Sequence, residues 1–362
     1  MISDEWLEKD GAKMKLSKLY LDRYTVFDLL HISLAEGINI FIGENGTGKS
    51  HLLKVLYAAS RATDGKTAFA QKLVNLMLPD DYQLARLLHK GAKNSYIRVE
   101  EESGLYVSLY FDDETYKWNA AAENEAAWEN GLINSDSIFI PAKEILSNCY
   151  QLNSAVARRN VKFDDTYIDI IDPAKVDVGN TVEINMICED IEQYGWQDRL
   201  LKKIEALIDG KVFYDPQKDG FYLRNANSKL EFNLVAEGIR KLALLWQLLK
   251  NSALERGSIL FWDEPEANIN PAYLRNIVEI LLALERHGVQ IFLSTHNYML
   301  AKYFEVLKDD SDTVLYHSLY KTEQGIGYEC GEAFDDLKNN AIINSFDKLL
   351  DEIYDMGVSK HE

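Results

Sequence analysis

The chain of 362 residues is long enough for one large domain or two ordinary ones, and with 47% apolar residues it is expected to bury a sizeable core. Its net charge of −19 argues against a protein that coats DNA indiscriminately, because neutralising phosphates requires concentrated Lys and Arg. Cys149, Cys188 and Cys330 are odd in number and far apart, which disfavours a disulfide framework and fits a reduced, cytoplasmic protein. The start, MISDEWLEKD, has no apolar core like that of a signal peptide, no run approaches the ~20 apolar residues of a membrane span, and the histidines show no metal-ligand spacing.

In chain order, Lys15 to Val26 and Gly37 to Ile42 read as strands, followed by a helix over Lys49 to Arg61. Residues 65–91 look helical. "SYIRVEEE" and "LYVSLYFDD" alternate as an antiparallel pair joined at Ser103-Gly104. "SIFIPAKEIL" predicts a buried strand stopped by Pro141 and then a helix start, with mainly helical pattern to about Asp209. "KVFYDPQKDGFYLRN" predicts a hairpin turning through Asp215, Pro216, Asp219 and Gly220. A helix over Glu237 to Lys250 follows, then the strand "SILFW", a helix over 271–286, the strand "VQIFLST" and further α/β elements. Three basic groups, Lys90/Lys93/Arg98, Arg158/Arg159/Lys162 and Arg199/Lys202/Lys203, read as solvated faces, with a local basic groove as the alternative.

Chemistry enters at "FIGENGTGKSHLLKVLY". Gly43 to Ser50 fit the G-x-x-x-x-G-K-[ST] pattern between an apolar strand and a helix. Gly43, Gly46 and Gly48 permit a tight turn, so that the N–H groups of the loop Glu44, Asn45, Thr47 and on to His51 can face phosphate oxygens. Lys49 is expected to reach the β- and γ-phosphates of a nucleotide, and the Ser50 hydroxyl to ligate Mg2+.

The second acidic half lies at "GSILFWDEPEANINP". Asp263 ends a buried strand, where an acid can hold Mg2+ beside a P-loop, and Glu264 can orient or deprotonate an attacking water. "DEPEANINP" resembles the D-E-P-E-A-x-x-x-P segment of ABC-type ATPases of the overcoming-lysogenization-defect (OLD) and Gabija class. "FLSTHN" places His296 where that class has its switch histidine. "LVAEGIRKLALL" is similar to its signature helix, with Ala236 in place of the usual serine ahead of Glu237 and Gly238. "IFIPAKEILS" and "FDDTYIDI" resemble stand-alone members.

This resemblance implies an α/β P-loop NTPase fold: an ABC ATPase head with an antiparallel β extension and a helical lobe. The expected divisions are 1–141 (P-loop and antiparallel extension), 142–235 (helical lobe and hairpin) and 236–362 (signature helix, Asp263 strand, His296 and C-terminal part). It also implies ATP and Mg2+ as ligands and a homodimer closed around ATP, with Ala236, Glu237 and Gly238 completing the partner's site, or a higher homo-oligomer. Only 362 − 296 = 66 residues follow His296, too few for the nuclease domain of that class. The expectation is therefore a switch ATPase with a separately encoded effector and a phage protein as trigger, as in PARIS-type anti-phage systems. A RecF-like repair ATPase acting on DNA and a slow ATP-binding regulatory module remain as alternatives.

Overall fold

The computed structural model describes residues 15–62, 66–131, 136–150, 152, 163–175 and 191–358. A six-stranded sheet forms its centre, in the order β14-β13-β3-β12-β11-β7. Its strands are β3 (Ile38–Gly43), β7 (Ser137–Ile140), β11 (Ile259–Asp263), β12 (Gln290–Thr295), β13 (Val314–Thr322) and β14 (Gly325–Gly331). All neighbours pair in parallel except β14, which is antiparallel to β13. Parallel strands covered on both faces are apolar at nearly every position, and β3, β7 and β12 are buried throughout.

The period of two sorts these side chains into two cores. Ile38, Ile40, Ile42, Ile138, Ile140, Leu260, Trp262, Ile291 and Leu293 face one side. Packed on that side are α6 (Ile191–Ile208), α7 (Glu237–Lys250), α8 (Leu274–Arg286) and α9 (Tyr298–Leu307). Phe41, Phe139, Phe261 and Phe292 face the other. Phe139, Phe261 and Phe292 stack as cross-strand neighbours, and Tyr57 lies against the first two. This row receives the P-loop helix α1 (Lys49–Arg61), whose Leu52, Leu53, Val55 and Leu56 are fully buried. Each such side chain contributes about 1.5–3 kcal/mol.

The same core is closed by a five-stranded antiparallel sheet, β2-β1-β4-β5-β6. It comprises β1 (Leu16–Tyr24), β2 (Phe27–Ser33), β4 (Asn94–Glu101), β5 (Tyr106–Asp112) and β6 (Ala122–Glu123). β4 and β5 pair as expected around Ser103-Gly104. The expected strand over 15–26 forms as β1 as far as Tyr24; Thr25 then takes a left-handed conformation (φ 49°), and the chain turns back as β2, which was not expected. The expected helix over 65–91 is confined among the described residues to α2 (Phe69–Met77). Leu78 ends it in the left-handed region, and Pro79 opens two 3-10 turns, Asp80–Tyr82 and Leu84–Leu87.

Further along, α3 (Glu125–Gly131) precedes β7, and Pro141 is followed by a 3-10 turn at Leu146–Asn148 instead of the expected α-helix. Short helices α4 (Asp165–Asp169) and α5 (Ile171–Lys175) follow. The expected hairpin forms as β8 (Lys211–Asp215) and β9 (Gly220–Arg224), joined by β10 (Lys229–Glu231). The last element is α10 (Ala341–Val358).

Among the polar groups buried inside the central sheet is a histidine. His317 of β13 stacks on Phe41, with Nε2 3.1 Å from Asn39 Oδ1 and Nδ1 3.0 Å from the Tyr328 hydroxyl. Asn39 Oδ1 only accepts, so Nε2 carries the hydrogen and the tyrosine donates to Nδ1. Burial pushes this imidazole down to about 3.

Candidate functional site

At the carboxyl ends of β3, β11 and β12 the structure brings together the sequence-predicted loop, acids and histidine. Gly43 takes a positive φ of 147° against the Leu319 carbonyl of β13, where a Cβ would come within 2.2 Å, so only glycine fits. Gly46 and Gly48 turn with φ of 82° and 94°, and a Cβ on Gly46 would meet nothing within 4 Å, leaving the mouth of the loop open. Glu44, Asn45 and Gly46 form the exposed rim, while Thr47 is buried and its hydroxyl donates to the Glu44 carbonyl. Lys321 of β13 pairs with Glu44 at 2.9 Å.

Gly48 caps α1 without a side-chain bond, so the first-turn N–H groups face the loop unspent. The Lys49 ammonium lies inside the curl, donating to the Gly43 and Glu44 carbonyls at 2.7 and 2.9 Å. Burial lowers its pKa, against the opposing pull of Glu264, Asp263, Glu266 and Glu44. His51 faces the protein one turn position later. Its Nδ1 has no partner among the described residues, and burial, aided by Lys54, lowers its pKa.

Ser50 Oγ donates to Asp263 Oδ1 at 3.1 Å across 213 residues of sequence. Ser294 Oγ donates to the same oxygen. The parallel register that pairs Asp263 with Ser294 makes this contact, and it was invisible in the sequence. Glu264, just past the strand, is held in the left-handed region (φ 46°) by its N–H, which bonds the Ser294 carbonyl at 3.1 Å. Strain of this kind costs of order 1–3 kcal/mol and clusters at working sites. His296 Nδ1 lies 3.2 Å from Glu264 Oε1 and 3.8 Å from Glu266 Oε1. Glu266, which the motif reading passed over, is buried and accepts from the Thr295 hydroxyl at 2.7 Å and the His296 N–H at 3.3 Å.

Ala236, Glu237 and Gly238 lie elsewhere. Ala236 caps α7 with no side-chain bond, and Gly238 packs so tightly on the turn after β11 that a Cβ would come within 2.5 Å of the Asn268 carbonyl. The buried Lys241, one turn on, donates to the Ala267 carbonyl at 2.8 Å. Among the described residues, no hydrogen bond or ion pair links 236–238 to the P-loop.

The donor set suits a magnesium nucleoside triphosphate. An open glycine curl, unspent helix N–H groups and a lysine suit phosphates, and a hydroxyl beside one carboxylate suits Mg2+, which takes few protein ligands when phosphates supply the rest.

Structural comparison bears on the same geometry. The Smc head domain with an extended coiled coil, bound to the C-terminal domain of ScpA and derived from Pyrococcus furiosus, superposes with a TM-score of 0.54 at 12% identity, over 94% of this chain and 100% of that one. The α/β fold is similar to that of Smc head domains. Within this chain, residues 158–301 match a family described as "AAA domain, putative AbiEii toxin, Type IV TA system"; the stretch contains Asp263 to His296 but not the P-loop. The DNA replication and repair protein RecF of Oceanobacillus iheyensis is 36% identical over 61 residues, 17% of this chain. The DNA double-strand break repair Rad50 ATPase of Methanosarcina acetivorans is 25% identical over 114 residues, 32% of this chain. The matched stretches span only 16% and 9% of those two relatives.

Two members of the basic groups are paired with acids among the described residues. Arg98 pairs with Glu100 at 2.6 Å and lies 3.7 Å over the Tyr106 ring, and Lys203 pairs with Glu279. Arg158, Arg159, Lys162 and Cys188 lie outside the described residues. No described helix is long and apolar enough to cross a membrane.

Proposed function

We propose that this head binds MgATP and hydrolyses it to ADP and phosphate between two copies arranged head to tail. The carrying observation is the contact between Ser50 and Asp263, which unites the two halves of a nucleotide site from opposite ends of the chain. Lys49 and the α1 N-terminus would hold the β- and γ-phosphates, and Ser50 with Asp263 would hold Mg2+. The ion supplies positive charge to the phosphate oxygens. Glu264 then takes a proton from the attacking water, with His296 beside it, and Ala236 to Gly238 of the second copy close the site with backbone donors. A phosphate-release assay with MgATP tests this: turnover that depends on protein concentration supports it, and none at any concentration sinks it in favour of a slow regulatory module, the reading to which Ala236 lends weight.

In the cell we assign the head to a bacterial anti-phage or toxin–antitoxin system, in the cytoplasm, acting with a separately encoded effector released by a phage protein. The family description matched by residues 158–301 supports that context. The RecF similarity favours a second reading, a DNA-repair ATPase. ATP hydrolysis stimulated by DNA ends, falling steeply with salt, would select it; indifference to DNA would select the first.

A further inference from the structure

Glu266 has no part in the mechanism above, yet it is buried at the centre of the site. Its side chain is 5% exposed. One oxygen, Oε1, is fixed by the Thr295 hydroxyl and the His296 backbone N–H; the other, Oε2, has no hydrogen-bond partner among the described residues. Burying a carboxyl group half-satisfied is costly.

The His296 ring stands between two carboxyl groups. Nδ1 is 3.2 Å from Glu264 Oε1 and 3.8 Å from Glu266 Oε1, a difference of 0.6 Å. One ring N–H serves one carboxyl well at a time. In the structure the nearer is Glu264, the group assigned to water, and a carboxylate occupied by an imidazole is a poorer proton acceptor. Because Glu266 is bonded to the backbone of His296 itself, its Oε1 keeps station while the half-exposed ring turns.

We propose that Glu266 is a positioning residue: the alternative seat for His296 Nδ1–H, which draws the imidazole off Glu264 and so frees that carboxylate for water. This rests on the ATPase reading given above. The site then has an arrested arrangement, with His296 on Glu264, and a competent one, with His296 on Glu266. Glu266→Gln keeps an acceptor for Thr295 and for the His296 N–H but removes the charge that attracts the ring.

The test is a double-mutant cycle in single-turnover phosphate release and steady-state kinetics, using the full chain. Glu266→Gln should lower kcat roughly 10- to 100-fold, as loss of an orienting partner does, with KM for ATP within about twofold. Added to His296→Ala, it should cost nothing further. An equal loss in both backgrounds, or a native kcat for Glu266→Gln, overturns the proposal. If Glu266→Gln fails to fold, Thr295→Val, which loosens Glu266 without touching its charge, must show a smaller loss that vanishes in the His296→Ala background; a loss that persists there refutes the seat. Should Lys49→Ala and Glu264→Gln keep native turnover, the ATPase reading itself falls. If those two fail and Glu266→Gln does not, only the seat is wrong.

Discussion

The carboxyl end of the central sheet and the first turn of α7 are both polar ends of elements, but the chain treats them oppositely. At the sheet end nearly every group has an internal partner: Lys49 on two loop carbonyls, Ser50 and Ser294 on Asp263, the Glu264 N–H on Ser294. At α7 the cap is an alanine with no side-chain bond, exposed beside Leu234, which is 70% exposed. A helix start carries backbone N–H groups that need partners from outside. In the first region the side chains are finished on folding, and only the loop mouth and the α1 N–H groups stay open to a ligand; in the second no side chain caps the helix, and under the proposed function it is completed by the nucleotide of a second copy.

The largest expected effect breaks the finished region. Lys49→Ala removes the cation inside the loop, and ATP binding should disappear from calorimetry; an unchanged Kd would remove the P-loop assignment. Next, Glu264→Gln keeps shape but cannot take a proton, so hydrolysis should fall ~100- to 10,000-fold. With MgATP this variant should persist as a dimer in light scattering after size exclusion, because trapped ligand stabilises by mass action. Asp263→Asn should lose the metal and should not assemble. If both variants assemble alike, the separate roles given to the two acids are wrong.

A smaller effect concerns how the finished region depends on pH. His317 stays neutral in the fold down to about pH 3, while an unfolded chain protonates it near its ordinary value. The unfolded state therefore binds more protons between those values, so His317's contribution is complete above about pH 6.5 and is lost as pH falls, by about 1.4 kcal/mol per unit. Urea midpoints of the native protein and His317→Gln, compared from pH 7 to pH 5, should converge as pH falls. Parallel curves would show that His317 does not titrate this way. The smallest effect sharpens the other region. Ala236→Ser should supply the absent cap and stabilise the fold by about 1 kcal/mol, raising the thermal midpoint by a few degrees. No change would mean that the α7 start is already satisfied.

Much of this was legible in sequence where the signal was local. The span of α7 was predicted from Glu237 to about Lys250, because its apolar period needs no tertiary context. The P-loop and the end of β11 were equally readable. What escaped depended on register or on turns without glycine. Ser294, Thr295 and Glu266 gained their places only from the pairing of β11 with β12, and nothing in "FLSTHN" alone marks the serine as a partner of Asp263. The turn at Thr25 hid because a threonine occupies a left-handed position. The helix read over 65–91 ran past Pro79, where Leu84 and Leu87 are buried from a 3-10 turn.

The order of strands in the central sheet also bears on biosynthesis. β3, which launches the P-loop, pairs on one side with β12 and on the other with β13. Both partners are translated some 250 residues after β3 leaves the ribosome, roughly 12–50 s at ordinary elongation rates. Until then "INIFIG" is a strand with two unpaired apolar edges, the kind of segment that aggregates or recruits chaperones. Under the proposed function nucleotide could not assist early folding, because Asp263, which meets Ser50, is translated 213 residues later. The nascent protein must cross its most vulnerable stage before that site exists, and yield in expression should respond more to holdase supply and slower synthesis than to added ATP.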